Sequence, residues 1–165
     1  MIIDDCLLKN FLTLSEDEKV MVLKWRNHDN VRLWMHNTNI ISITDHLEFI
    51  NKLEDDSTNK YFLVVKNGNS IGIIYFNNIN YEQKECEFGL YANPYKKLVG
   101  VGKILEEICI KYAFNILKLK KLKLEVLSTN KRAIKLYQKY NFVESGIKIV
   151  NDKHIICMEL KNEDR

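Results

Sequence analysis

The period of the apolar positions changes several times along the chain, and each change marks an element. Ser15-Glu16-Asp17-Glu18 has the spacing of a capping box. With Val20, Met21 and Leu23 behind it, the segment predicts a helix to about Trp25. Thr44 is expected to cap a second helix that carries Leu47, Ile50 and Leu53 on one face. From Tyr61 the pattern becomes β-rich: Tyr61 to Lys66 and Ile71 to Asn77 read as strands joined by an Asn67-Gly68 hairpin turn, with a third strand over Glu85 to Tyr91. Beyond Gly100 and Gly102, the positions Val101, Leu105, Ile108 and Tyr112 recur every three or four residues, which predicts an amphipathic helix ending near Lys118. Leu122, Leu124 and Val126 then alternate with Lys121, Lys123 and Glu125, so this strand turns Glu125 away from its apolar side. Asn130 is placed to cap a helix with the stripe Ala133, Leu136, Tyr137 and Tyr140, and Asn141 suits a left-handed stop. Two last strands, Glu144 to Val150 and Lys153 to Leu160, turn at Asn151-Asp152.

This order of helices, three antiparallel strands, helix, strand, helix and hairpin is a mixed α/β arrangement, with one βαβ crossover over about Gly100 to Val126. A single proline and the lack of low-complexity tracts or repeats predict one domain over residues 1–165. The 46% of apolar residues can fill a core for that length. With 25 basic and 22 acidic residues, the charge of +3 is too balanced for a dedicated nucleic-acid binder, yet leaves room for an anionic small ligand. Cys6, Cys86, Cys109 and Cys157 form no CxxC pair and have no histidine at ligand spacing, so they are expected to be reduced core residues, and no metal is expected. The start Met1-Ile2-Ile3-Asp4-Asp5 lacks the basic opening and apolar run of a signal peptide, and no apolar stretch approaches about 18 residues. A soluble, cytoplasmic protein with no membrane partner is therefore the expectation.

Chemistry concentrates at Tyr95-Lys96-Lys97-Leu98-Val99-Gly100-Val101-Gly102-Lys103, a strand-to-helix junction with two glycines. Backbone N–H groups at a helix start, with the positive end of its dipole, favour a diphosphate, and lysines add charge. Lys97-x-x-Gly100-x-Gly102 resembles the pyrophosphate loop of the GNAT family of N-acetyltransferases, while Glu125-Val126, Asn130, Ala133, Leu136-Tyr137 and Asn141-Phe142 resemble that family's second motif. Lys97 stands where arginine or glutamine is commoner, and Leu98-Val99 where the loop is usually more basic. The resemblance implies a GNAT fold, of the α+β class: a mostly antiparallel twisted sheet with one splayed parallel pair and helices on both faces. It also implies acetyl-CoA as cosubstrate, held by the amides of residues 98–103, by Lys97, Asn130, Ala133 and Tyr137, and by the backbone of Leu90, Tyr91 and Ala92. Tyr137 matches the family's general acid and Glu125 a glutamate that serves some members as base. Glu87 and His46 are competing bases, as is a water chain, and a homodimer is plausible from the family alone.

The cluster Trp25-Arg26-Asn27-His28 with Leu33-Trp34-Met35-His36 is aromatic and basic. Arg26 can grip a phosphate and the rings can stack on a base or sugar, although Trp25 and Trp34 also suit a core. Together with His46-Leu47-x-Phe49-Ile50, Lys60-Tyr61-Phe62-Leu63 and Glu87-Phe88-Gly89-Leu90-Tyr91, it resembles the family's branch that acts on nucleotide sugars. That branch implies a UDP-linked amino-dideoxy sugar as acceptor, with Arg26, Trp34, Met35, His36, His46, Phe49 and Tyr91 in its pocket. The alternatives are a protein N-terminal or ribosomal-protein acetyltransferase and a silent acyl-CoA-binding module.

Overall fold

Turn residues and alternating apolar positions assemble one sheet in the computed structural model, which describes residues 1–165. Its strands are β1 (Ile2–Ile3), β2 (Cys6–Asn10), β3 (Lys60–Lys66), β4 (Asn69–Asn80), β5 (Glu85–Ala92), β6 (Lys121–Leu127), β7 (Val143–Val150) and β8 (Lys153–Lys161). They lie in the order β1-β2-β3-β4-β5-β6-β8-β7. Every neighbouring pair is antiparallel except β5 and β6. The Asn67-Gly68 and Asn151-Asp152 turns form as expected, all four residues having positive φ, because a hairpin of two turn residues needs left-handed backbone to match the twist of its strands.

The sequence reading missed β1 and β2. Their turn, Asp4-Asp5, is left-handed without a glycine, and Leu7-Leu8 interrupts the alternation in β2. Pairing with β3 decides the matter, from Cys6 opposite Lys66 to Asn10 opposite Phe62.

Helices α1 (Glu16–Asn27), α2 (Asp29–Arg32) and α3 (Ile43–Lys52) precede β3; α4 (Val101–Lys111) joins β5 to β6, and α5 (Lys131–Lys139) follows β6. The predicted capping box starts α1: Glu18 N–H donates to Ser15 Oγ at 3.2 Å and Ser15 N–H to the Glu18 carboxylate at 3.0 Å. The cap of α3 is Ser42, not Thr44; the Asp45 N–H donates to the Ser42 hydroxyl. Helix α4 ends in a π-turn over Tyr112–Ile116, and Lys118 stops it in left-handed conformation, as the reading placed it.

Helices cover both faces of the sheet. On one, Leu105, Ile108 and Cys109 of α4 pack with Val64, Ile74, Leu122 and Leu124. On the other, Val22, Trp25 and Ile50 of α1 and α3 pack with Leu63 and Ile73. Each buried aliphatic side chain of this kind contributes about 1.5–3 kcal/mol. Cys6, Cys86 and Cys109 are buried and free as expected, whereas Cys157, next to the cavity floor, is only half-buried.

Two packing details bear on the site. A Cβ at Gly89 would stand 2.1 Å from the Tyr75 hydroxyl, so the Tyr75 ring lies across β5 only because position 89 has no side chain. Glu106 of α4 is fully buried, neither carboxylate oxygen has a partner, and desolvation pushes its carboxyl up to about 8.

Gly89→Ala should destabilise the fold by about 1–3 kcal/mol through this overlap, read as a lower denaturation midpoint at unchanged slope. Because the Glu106 carboxyl is raised by folding, its favourable share is whole below its ordinary value of 4.5 and lost as pH climbs through about 8. Glu106→Gln should therefore flatten the fall in melting temperature across that window; an unchanged pH profile would show that Glu106 does not titrate there.

Candidate active site

Strands β5 and β6 pair only over Glu85, Cys86 and Glu87 with Lys121, Leu122 and Lys123. Beyond those three pairs they diverge, while the other side of β5 remains bonded to β4 through Leu90, Tyr91 and Ala92. The β6-facing edge from Phe88 to Ala92 is thus unpaired, as the sequence reading expected of Leu90, Tyr91 and Ala92, and unpaired strand backbone seeks a hydrogen-bonding partner.

At the far end of β5 the chain reaches the glycine loop. Gly100, φ 77°, caps α4 in left-handed conformation with no side-chain hydrogen bond. The Val101 N–H is spent on the Leu98 carbonyl at 3.2 Å, but those of Leu98, Val99, Gly100, Gly102 and Lys103 have no backbone acceptor. Five free amides at a helix start fit a diphosphate. The lysines sit to the side: Lys96 donates to Asn69 Oδ1 at 2.8 Å, and Lys103 lies 3.9 Å from Glu107. Lys97 is exposed. The Asn130 side chain accepts the Ala133 N–H at 3.3 Å and so starts α5. That helix carries Tyr137 to the wedge between β5 and β6.

Tyr137 is 8% exposed. It packs edge-on against Phe88 with centroids 6.2 Å apart, and also against Phe142. Desolvation raises its phenol well above the ordinary value, with the nearby Glu106 as a further cause, so the hydroxyl stays protonated and available as a donor.

Across the sheet from α5, a cavity of about 540 Å³ opens between the sheet and the segment carrying α1 to α3. Arg26, Trp34, Met35, His36, His46, Phe49 and Tyr91, dispersed in sequence, all line it. Its floor adds Tyr61, Tyr75, Asn77, Glu87 and Glu125, and Phe88 joins it to the Tyr137 wedge. Of these, Tyr75 and Asn77 were not anticipated, and Tyr61 and Phe88 stood in the quoted resemblance without a site role; the period-two spacing of Tyr75 and Asn77 on β4 was the available signal. The two tryptophans divide: Trp25 is core, while Trp34 is 47% exposed on the cavity wall.

The cavity lining carries charges of both signs. Arg26 donates through Nη2 to the Asn37 carbonyl at 2.9 Å, and its buried Nη1 has no partner. Burial lowers the guanidinium's pKa, and the facing Tyr91, Tyr75 and Tyr61 oppose that shift. Arginine nevertheless stays charged in proteins. Asn77 Oδ1 is likewise buried and unpartnered. Glu125 lies 3.0 Å from His36 Nε2 and is paired through its second oxygen with Lys148. Asn78 donates to Glu87 at 3.4 Å. His46 Nε2 is 2.9 Å from the Lys19 carbonyl. A carbonyl only accepts, so Nε2 carries the proton, and desolvation holds this imidazole neutral. No group of three or more His, Cys, Asp or Glu side chains is arranged to hold a metal ion, and no helix is long and apolar enough to cross a membrane.

Comparison with known proteins agrees with this geometry. Residues 19–142 match the profile of the acetyltransferase (GNAT) family. Over 135 residues the chain is 47% identical to the acetyltransferase PseH of Campylobacter jejuni subsp. jejuni strain 81-176, covering 82% of this chain and 83% of that one. The crystal structure of C. jejuni N-acetyltransferase PseH in complex with acetyl coenzyme A superimposes with a TM-score of 0.77 at 42% identity, over 94% of this chain and 98% of the other. Spermidine N-acetyltransferase from Vibrio cholerae, in complex with CoA and spermine, shares the fold with a TM-score of 0.88 at 24% identity over 98% of both chains.

Any side chain at Gly100 strains its left-handed backbone by about 1–2 kcal/mol. Gly100→Ala should accordingly weaken CoA binding about five- to thirtyfold in a calorimetric titration. An unaltered Kd would separate this loop from the diphosphate.

Proposed function

Because this chain belongs to the GNAT family of acetyltransferases and takes its acetyl group from acetyl-CoA, we propose that its acceptor is the primary amine of a UDP-linked amino-dideoxy sugar. The specific acceptor is the 4-amino group of UDP-4-amino-4,6-dideoxy-N-acetyl-β-L-altrosamine, on the route to pseudaminic acid and the decoration of flagellin. Residues 1–165 act as one catalytic domain in this reading. The observation that carries it is a cavity lined by both the carboxylates of Glu87 and Glu125 and the guanidinium of Arg26, whose buried Nη1 has no partner. A substrate that bears both an ammonium and phosphates can match charges of both signs in one lining. The 47% identity to the Campylobacter PseH enzyme supports the same substrate class.

A polyamine, cationic throughout, would have to face the unpaired Nη1 of Arg26; an N-terminal peptide gives that guanidinium no matching anion. Aromatic side chains of the lining, Trp34, Phe49 and Tyr61, offer stacking surfaces to a uracil or sugar.

The diphosphate of CoA rests on the free amides of Leu98, Val99, Gly100, Gly102 and Lys103, and the pantetheine arm runs along the unpaired edge of β5. This brings the thioester to Tyr137. The amine attacks the thioester carbonyl, and Tyr137 gives its proton to the departing thiolate. Transfer is direct within a ternary complex. The thiols that an acyl-enzyme would require are all raised by burial, Cys86 to about 12, and a protonated thiol is a weak nucleophile.

A coupled assay should release CoA from acetyl-CoA with the UDP-amino sugar and not with spermidine or an N-terminal peptide. Tyr137→Phe should lower kcat by about 10²–10⁴ while CoA affinity stays near wild type. A variant with full turnover would remove the phenol from the reaction, and one that loses CoA affinity would make it a packing residue.

A further inference from the structure

We propose that His36 is the base that takes the proton of the acceptor amine, and that Glu125 is a positioning residue which holds the imidazole for that task. The proposal rests on the acetyl-transfer reading above and does not depend on which amine is accepted.

Glu125 is poorly placed to be the base itself. Both its oxygens are committed, Oε2 to His36 Nε2 at 3.0 Å and Oε1 to Lys148 Nζ. The same pairing favours the imidazole. An Nε2 that faces a carboxylate oxygen carries the hydrogen, which leaves Nδ1 with its lone pair as the proton acceptor and lets the carboxylate orient the ring. His36 and Glu125 line the same cavity. The His36 side chain is 37% exposed, against 21% for Glu125, so the collected proton has a path to solvent.

The backbone supports this arrangement from outside. His36 sits between α2 and α3, and its carbonyl accepts from Asn151 Nδ2 at 3.4 Å. Asn151 is in the turn of the β7–β8 hairpin, and Lys148 is on β7 of the same hairpin. One hairpin therefore fixes the main chain of His36 and the second partner of Glu125. The rival groups lack this combination: His46 is buried with Nε2 bound to the Lys19 carbonyl, and Glu87 has only the amide of Asn78.

The step balances as follows. The ammonium gives one proton to His36 Nδ1, and the freed lone pair forms a C–N bond to the thioester carbon. The carbonyl pair moves onto oxygen and returns as the C–S bond breaks. The thiolate takes the Tyr137 proton, the second amine proton restores the tyrosine, and His36 releases the first to water. Net products are the amide, CoA and one proton.

His36→Gln keeps a hydrogen-bond donor for Glu125 and lacks the basic nitrogen. Its kcat should fall about a hundredfold or more, with KM for both substrates and CoA affinity within about threefold of wild type. Free imidazole should restore turnover to His36→Gly and not to Glu125→Gln, and the double variant His36→Gln/Glu125→Gln should be no slower than its slower parent, as for residues acting as one unit. Wild-type kcat in His36→Gln, a loss confined to KM, or His36→Gly that imidazole leaves unimproved would each overturn the assignment. The wild type is run with the UDP-amino sugar, spermidine and an N-terminal peptide in parallel. If the sugar alone fails, the acceptor reading falls and His36 is tested on the amine that is acetylated; if none is acetylated, both fall.

Discussion

The parting of β5 and β6 after three residue pairs is the constraint from which the site follows. A continuous parallel pair would consume the backbone groups of Phe88 to Ala92 and close the sheet against any ligand. By diverging, the strands expose a hydrogen-bonding edge and open a wedge through the sheet. The two connections that leave this region, from β5 into α4 and from β6 into α5, bring the free amides and Tyr137 to the wedge. Phe88 spans it, lining the cavity while packing on the Tyr137 ring. The Tyr137 side of the sheet and the cavity side therefore meet at Phe88.

The electrostatics of the floor follow from strand alternation. On β6 the even-numbered Leu122, Leu124 and Val126 fill the core shared with α4, so Lys123 and Glu125 must face the other way. Glu125 then lies beside Cys157 of β8 in register, within reach of Lys148 from β7 and His36 from the opposite wall. Tyr75 and Asn77 on β4 and Glu87 on β5 are turned to the same side. At this end of the sheet an apolar face packed on α4 is thus opposite a face that carries the charged and polar side chains of the cavity.

Local signals made much of this legible in advance. The Ser15 capping box, the Asn67-Gly68 turn, Asn130 as a helix cap and the alternation around Glu125 each act over a few residues, and each forms as the sequence predicts. What escaped depends on partners distant in sequence. The strand Cys6–Asn10 is specified by its pairing with β3 rather than by its own pattern. Ser42 prevails over Thr44 as a cap because the chain arriving from the cavity wall is still extended at Ser42, ψ 155°. The seven pocket residues were gathered by resemblance; spacing alone does not show that His36 meets Glu125 or that Lys148 completes the group. Such contacts exist only once three separate segments converge.

The Gly89–Tyr75 contact makes the two walls of the cavity unequal in how freely they can vary. The floor is locked, since a single methyl at position 89 would collide with the Tyr75 ring, which itself stacks on Tyr61 at 5.1 Å. Opposite it, residues 33–41 span the gap between α2 and α3 with little regular structure of their own, so exchanges there, His36 apart, disturb few core contacts. Variation in acceptor choice among descendants of this chain should accumulate in that upper segment, where a new preference can arise without dismantling the scaffold beneath.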